Sequence, residues 1–376
     1  MAATKIDINE HFDTVLKGAW ESNINNQSRC VIFSDLHMGD GSVRDDFKPN
    51  FESFQSALRD YYLKHNYSLI LNGDVEELQR FPLDVILKNW KPVYMLFDAF
   101  ANKNRLAKTY GNYDLQLKFQ KPPYDYQMSE VCKLSYEGGH IFIYHGHQVS
   151  KKYQRQNDLV GFILKYFANP LRIKNYAVSH SSKKQYKIEK RAYEHDISRN
   201  QISIIGHTHR PLFESLHKVD RLRFKIDQLC REYLISRPSN QESIAHSIKF
   251  YQSELEKSHQ IDNLKNTNSF IYHHNLAIPC LFNSGTVIGK RGITCLKISD
   301  GKMRLIHWFD KNIPKKYLQY TGYDPILLPN TEFYKMVFLK TPYIIFLHES
   351  NYYVDEKPLD IYYVTHRRSM RTAKFL

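Results

Sequence analysis

The chain has 376 residues, 42% of them hydrophobic and 24% charged, a length that supports a large core and excludes a small cross-linked scaffold. Lys and Arg total 53 against 39 Asp and Glu, and this charge of +14, together with 27 Tyr, suits a polyanionic partner: a phosphorylated substrate, nucleic acid or anionic lipid heads. The five cysteines (Cys30, Cys132, Cys230, Cys280, Cys295) are odd in number and far apart, which argues against a disulfide framework or a zinc knuckle and fits a reducing compartment.

Met1 to Asn26 holds no apolar run of signal-peptide length, and no segment reaches the ~20 apolar residues that span a bilayer. The expectation is a cytoplasmic chain, with peripheral contact at the inner membrane surface left open.

Cys30 to Ser34 (CVIFS) is short, apolar and β-branched and ends abruptly in Asp35, as a buried strand does where it delivers polar residues to its C-terminal edge. From Phe51, the residues Phe54, Leu58, Tyr61 and Tyr62 fall three and four apart and predict a helix, and Ser68 to Leu71 follows as a second strand ending in Asn72-Gly73-Asp74. Strand, helix, strand implies a parallel crossover. An irregular helical stretch, Leu83 to Asn104, leads to the run Leu106 to Tyr110 and the turn Gly111-Asn112-Tyr113-Asp114. Val131 to Ser135 and His140 to Tyr144 form a hairpin about Glu137-Gly138-Gly139 that ends at His145, and Gln201 to Ile205 ends in the same manner at Gly206-His207.

Two inserts interrupt these strands. Residues 150–200 are basic, partly helical and read as a cap, while 215–268 read as a helical hairpin with its turn at Arg237-Pro238-Ser239-Asn240. Strands return at Leu281 to Asn283, Gly292 to Ile298 and Met303 to Phe309. A catalytic domain over 1–309 is expected, followed by a C-terminal extension over 310–376 with no assigned role.

Five strand ends thus carry polar residues with metal-ligand chemistry. Asp35-Leu36-His37 places a carboxylate and an imidazole two apart, a spacing that in an extended segment or its exit loop lets both reach one cation. Gly73-Asp74 adds a carboxylate, Asn112 an amide oxygen suited to a hard cation, and Tyr113 a phenol able to donate a proton. His145-Gly146-His147 and Gly206-His207-Thr208-His209 supply imidazoles. Each histidine alone is as readily structural, but five such motifs in succession are not.

In this order the motifs resemble the calcineurin-like metallophosphoesterase superfamily, whose pattern runs D-x-H, G-D, G-N-H-D, a G-H element and G-H-x-H. Asn283-Ser284-Gly285-Thr286 resembles its closing N-x-G segment. The style of Ser34 to Asp40 and Gly206 to Pro211 (GHTHRP) is similar to the UDP-2,3-diacylglucosamine pyrophosphatase branch.

The resemblance implies an α/β fold, a four-layer sandwich of two mixed β-sheets flanked by helices with helical cap inserts. It also implies a binuclear, metal-dependent phosphoric ester hydrolase. Asp35, His37 and His209 would hold one metal, Asn112, His145 and His207 the other, and Asp74 would bridge them. Asp114 would orient the residue or water beside the leaving group. Tyr113 departs from the family, which has histidine there, so a phenol stands at the position of the general acid.

The nitrogen and oxygen donors suit manganese, with iron or zinc as alternatives. Arg210 and the insert cations Lys151, Lys152, Arg155, Arg172 and Lys174 are candidates for substrate phosphates, although each is as readily a solvated surface charge. The favoured substrate is a nucleotide-linked or lipid-linked pyrophosphate. A nuclease that binds nucleic acid weakly and an inactive scaffold are the alternatives.

Overall fold

The structure, a computed structural model, describes residues 8–119, 124–150, 182–216, 218–262, 279–312 and 325–342. In chain order its elements begin with α1 (Ile8–Lys17), β1 (Trp20–Asn23), β2 (Cys30–Phe33) and α2 (Phe51–Ser56), which continues as a π-helical stretch over Ala57–Leu63. Then come β3 (Ser68–Asn72), α3 (Leu83–Asn89), α4 (Lys91–Ala101), β4 (Leu106–Thr109), β5 (Gln127–Ser129), β6 (Val131–Tyr136) and β7 (Gly139–Tyr144). α5 (Ser182–Arg199) precedes β8 (Ile202–Ile205), and α6 (Lys218–Ile235) and α7 (Pro238–Asp262) precede β9 (Leu281–Asn283). The described chain closes with β10 (Ile293–Ser299), β11 (Lys302–Asp310), β12 (Ile326–Leu327) and β13 (Phe333–Pro342).

These strands form two mixed sheets. One runs β12-β13-β11-β10-β2-β3-β4-β5 and the other β1-β6-β7-β8-β9. Alternation along β2 shows how they stack: Val31 and Phe33 face a core shared with Phe54, Leu58 and Tyr62 on the first helical layer and Phe97 and Phe100 on α4. Cys30 and Ile32 face the opposite way and join Leu134, Ile141, Ile143, Ile202 and Ile204 of the second sheet. The far side of the second sheet is covered by α1 and α5, through Phe12, Leu16, Ile188, Ala192 and Tyr193 packed on Tyr144, Ile205 and Leu281. Helices, sheet, sheet, helices is the four-layer α/β sandwich expected.

The parallel pairs β2/β3, β3/β4, β7/β8 and β8/β9 matter for function because their C-terminal ends share one edge of the sandwich. Asp35, Asp74, the turn from Gly111, His145 and His207 all follow those ends.

Several expectations need correction. The stretch 83–104 is two helices, broken at Trp90 with Pro92 placed in the first turn of α4, where its missing N–H costs nothing. Within the expected hairpin 215–268 the described residues form α6 and α7, but Pro238 begins α7 instead of lying within the turn. Residues 151–181 of the expected cap lie outside the described residues, and 182–199 are α5, a layer of the sandwich with its apolar face on the second sheet. The boundary at 309 also falls too early: β13 pairs antiparallel with β11 from Lys302↔Pro342 to Asp310↔Phe333, so the first sheet extends at least to Pro342. α1 and β1 were not foreseen.

Candidate metal centre

Two clusters of donors meet at the shared strand edge. Asp35, His37 and His209 form one, and Asp74, His145 and His207 the other, with ligand atoms in each within 4.8 Å of one another. His209 Nε2 lies 3.0 Å from Asp35 Oδ1 and 3.1 Å from His37 Nε2. Two imidazole nitrogens so close repel unless a proton or cation lies between them. Asp74 Oδ2 lies 2.9 Å from His145 Nε2 and 3.8 Å from His37 Nε2, so one carboxylate faces both clusters.

Of the two origins expected for this convergence, an extended segment or its exit loop, the structure shows the exit loop. Asp35 (φ 56), His37 (φ 49), Asp74 (φ 52), His207 (φ 65) and His209 (φ 55) all occupy the left-handed region, so the D-x-H and H-x-H pairs meet through tight turns and not through extended backbone. Each such residue costs on the order of 1–3 kcal/mol and persists only where its surroundings over-determine it. Backbone bonds do part of that work: Asp35 N donates to Gly73 O at 3.1 Å, His37 N to Asp74 O at 3.0 Å, and His207 N to Asp35 Oδ2 at 3.1 Å.

Two glycines permit the close approach. A Cβ on Gly111 would fall 2.1 Å from Asp74 Oδ1, and one on Gly73 (φ 74) 2.6 Å from His145 Nδ1.

Hydrogen bonds set the histidine tautomers. His145 Nδ1 donates to Asn72 O at 2.9 Å, and His37 Nδ1 donates to Glu77 Oε2 at 2.8 Å, which leaves Nε2 of each ring as the inward lone pair. Asn112 Oδ1 is buried without a hydrogen-bond partner, and His145 Nε2 meets only the Asp74 carboxylate, 2.9 Å away. A buried lone pair in that condition fits a cation, and so does the mixed carboxylate, imidazole and amide set.

The electrostatics agree. Burial opposes ionisation of Asp74 and Asp35, but the imidazoles of His145 and His37 around Asp74, and of His209 and His145 around Asp35, hold both carboxyls below the usual range. Burial likewise opposes protonation of His37, yet Glu77 and Asp74 push its pKa up to about 9, and Asp74 and Asp35 do the same for His145. His207 is pulled down to about 3 by burial and by His145. The cluster of acids therefore draws positive charge into a largely buried site that opens to solvent at His209, Asn112 and Tyr113.

Tyr113 belongs to this edge. Its N–H donates to Asp74 Oδ1 at 2.8 Å, and its ring stands edge-on to His37 with centroids 4.8 Å apart. Asp114 lies behind this edge. It is fully buried, with Oδ1 accepting from Gly111 N at 2.6 Å and Oδ2 from Val75 N at 2.8 Å, so it ties the two metal loops together. Burial pushes its pKa up to about 7 against the pull of Lys108.

Asn283 donates through Nδ2 to Gly206 O at 2.9 Å and Thr208 Oγ1 at 3.0 Å, which brings the N-S-G-T segment against the last motif. Arg210 donates to Glu189, and Lys151, Lys152, Arg155, Arg172 and Lys174 lie outside the described residues.

Sequence reasoning missed Glu77 and Glu189 here and gave His147 no role beyond its motif. Glu77 had a signal, since it stands three residues beyond Asp74 on the same exit loop. His147 is buried with its ring 5.6 Å from His145 and 6.4 Å from His207, and burial keeps it neutral. Glu189 is buried on α5 beneath the last motif.

Residues 28–211 match the family model described as calcineurin-like phosphoesterase. Among solved structures the chain is similar to Yfce, a phosphoesterase from E. coli, at 11% identity and a TM-score of 0.33, covering 84% of this chain and 98% of that one. It is also similar to vacuolar protein sorting 29 from Cryptosporidium parvum, at 11% identity and a TM-score of 0.33, covering 77% and 95%. No curated protein matches the chain significantly.

Proposed function

We propose, from the match of residues 28–211 to the calcineurin-like phosphoesterase model, that the chain is a hydrolase of phosphoric esters, a binuclear enzyme acting on a nucleotide-linked or lipid-linked pyrophosphate. The observation that carries the binuclear reading is Asp74, whose Oδ2 faces His145 in one donor cluster and His37 in the other. Asp35, His37 and His209 would hold one divalent cation, and Asn112, His145 and His207 the second, with Asp74 shared. Manganese suits these donors, and iron or zinc would be accepted by the same set. When bound, such a pair supplies an acidified water and neutralises phosphate oxygens.

The chain's own residues do the rest. Glu77 and the Asn72 carbonyl hold His37 and His145 with Nε2 inward. Tyr113, beside Asp74 and His37, donates its phenolic proton toward the leaving oxygen. With a reference pKa of ~10 a phenol is protonated at neutral pH but is a far weaker acid than imidazolium. The enzyme therefore favours substrates whose leaving group is already good, and a pyrophosphate or an aryl ester meets that demand. The net charge of +14 favours anionic substrates and weak contact with nucleic acid or an anionic membrane surface. No helix among the described residues is long and apolar enough to cross a membrane.

The test is a panel of a nucleotide-sugar pyrophosphate, an aryl phosphodiester, an alkyl phosphomonoester and single-stranded DNA, offered to the Mn²⁺-loaded protein and to Asp74→Asn. Pyrophosphate turnover that exceeds monoester turnover and disappears in Asp74→Asn is the expected result. Full activity in Asp74→Asn refutes the shared carboxylate, and DNA cleavage outpacing the pyrophosphate replaces this substrate class with a nuclease.

A further inference from the structure

The loop that carries His207 and His209 is strained at both histidines, with φ 65 and φ 55, so something must hold the residue between them. Thr208 is fully buried and gripped from several sides. Its Oγ1 donates to Glu189 Oε1 at 2.8 Å and accepts from Asn283 Nδ2 at 3.0 Å, and its carbonyl accepts from Gln185 Nε2 at 2.9 Å. Asn283 comes from the second sheet, but Gln185 and Glu189 come from α5, one turn apart on one face of that helix.

Glu189 has a second attachment on the other side of His209. Arg210 donates to it through Nη2 and, at 3.4 Å, through Nε. One buried carboxylate thus fastens both neighbours of His209, and the position of His209 Nε2 against Asp35 and His37 depends on that clamp. Arg210 is occupied in holding the loop, which accounts for it without a substrate phosphate.

We propose that Glu189 is a positioning residue that fixes the His207–His209 loop from α5 and so sets cation affinity at the Asp35, His37 and His209 cluster. The inference rests on the metal-centre reading above. It makes α5 part of the metal centre, although none of its described side chains belongs to either donor cluster. The Asp74, His145 and His207 cluster depends less on the clamp, because His207 N is bonded directly to Asp35 and His145 to Asn72.

The test uses the full chain, stripped of metal and titrated with Mn²⁺ by calorimetry, with bound Mn²⁺ followed by EPR. Wild type is expected to show two binding events. Glu189→Ala should weaken one of them by about 10–100-fold, the usual effect of removing a group that orients a ligand, and leave the other within a few-fold. Glu189→Gln keeps an oxygen that accepts from Thr208 and should recover most of the loss. Ile188→Ala, on the same helix but facing the apolar core, should lower the melting temperature with both affinities unchanged.

If Glu189→Ala does not fold, Thr208→Val removes the same hydrogen bond at nearly constant volume and should show the same selective weakening. Two wild-type affinities with unchanged curves for Glu189→Ala or Thr208→Val overturn this inference alone, as does an equal loss in Ile188→Ala. A wild-type chain that binds no Mn²⁺ overturns the metal-centre reading together with it.

Discussion

Replacing Glu77 with Ala tests the metal centre at a residue that is not itself a ligand. Glu77 and His37 are both nearly sealed from solvent, and the 2.8 Å contact between Oε2 and Nδ1 is charge-assisted whenever the ring develops positive character. Without the carboxylate, the Nδ1–H is left in a dry pocket, a penalty of about 1–3 kcal/mol. The ring then relieves it by moving the proton to Nε2 or by rotating, and either change removes the inward lone pair. Loss of such an orienting partner typically weakens metal binding about 10–100-fold, and that range matches about 1.4–2.7 kcal/mol at 1.36 kcal/mol per decade. Glu77→Gln preserves an acceptor but not the charge and should fall between the two. Calorimetric Mn²⁺ titration of the apo chain gives the affinity. Turnover measured across a Mn²⁺ series should be depressed at low metal and restored at saturation, because Asp74 and Tyr113 are untouched. Wild-type affinity in Glu77→Ala would refute the assignment of the His37 tautomer. A turnover deficit that excess Mn²⁺ does not repair would refute the claim that Glu77 acts through the metal.

The remaining predictions concern proton donation, metal uptake and stability. Tyr113→Phe should lower turnover on a pyrophosphate by about 100-fold, the low end of general acid catalysis, with metal content unchanged; an unaltered rate would mean the ring only packs beside His37. In the apo site the pKa values of His37 and His145 are both pushed up to about 9, so each is protonated at neutral pH and must release its proton to a cation. Mn²⁺ affinity should therefore rise between pH 7 and 9, and calorimetry in buffers of different ionisation enthalpy should detect the released protons; a pH-independent affinity would contradict this. His307 is buried on β11, with its ring bonded to Arg291 O at 2.9 Å, and burial lowers its pKa to about 4 from 6.5. Because the unfolded chain binds a proton there first, this stability is complete above pH 6.5 and is lost as pH falls toward 4, by roughly 3 kcal/mol. Urea denaturation across that window should show a smaller pH slope in His307→Gln.

Strand ends were legible because the local pattern is unambiguous: a run such as Leu69 to Asn72 is buried throughout and breaks directly into a glycine and a charge. Five such breaks identify one edge of a sandwich without any knowledge of which strands pair. The left-handed turns at Asp35, His37, Asp74, His207 and His209 were not legible, because no propensity of aspartate or histidine requires them. They are imposed by bonds to distant segments, as when His37 N reaches Asp74 O or His207 N reaches Asp35. Glu77 stood close enough to Asp74 in sequence to be suspected, whereas Glu189 lies in SKKQYKIEKRAYEHDISR, where a glutamate among lysines and arginines reads as one more solvated charge. Its burial follows from Thr208 and Arg210, which reach it only after α5 has docked on the second sheet through Ile188 and Ala192. β13 was hidden for a related reason: over Phe333 to Lys340 burial does not alternate strictly and aromatics lie on both faces, so neither strict alternation nor a continuous apolar run marks it, and only its pairing with β11 declares it a strand. Residues that supply chemistry follow local rules of spacing, but the residues that hold them in place acquire their role from a partner. For that reason the sequence could name the donor residues that the fold brings together in two clusters, and it did not name the carboxylates that hold them.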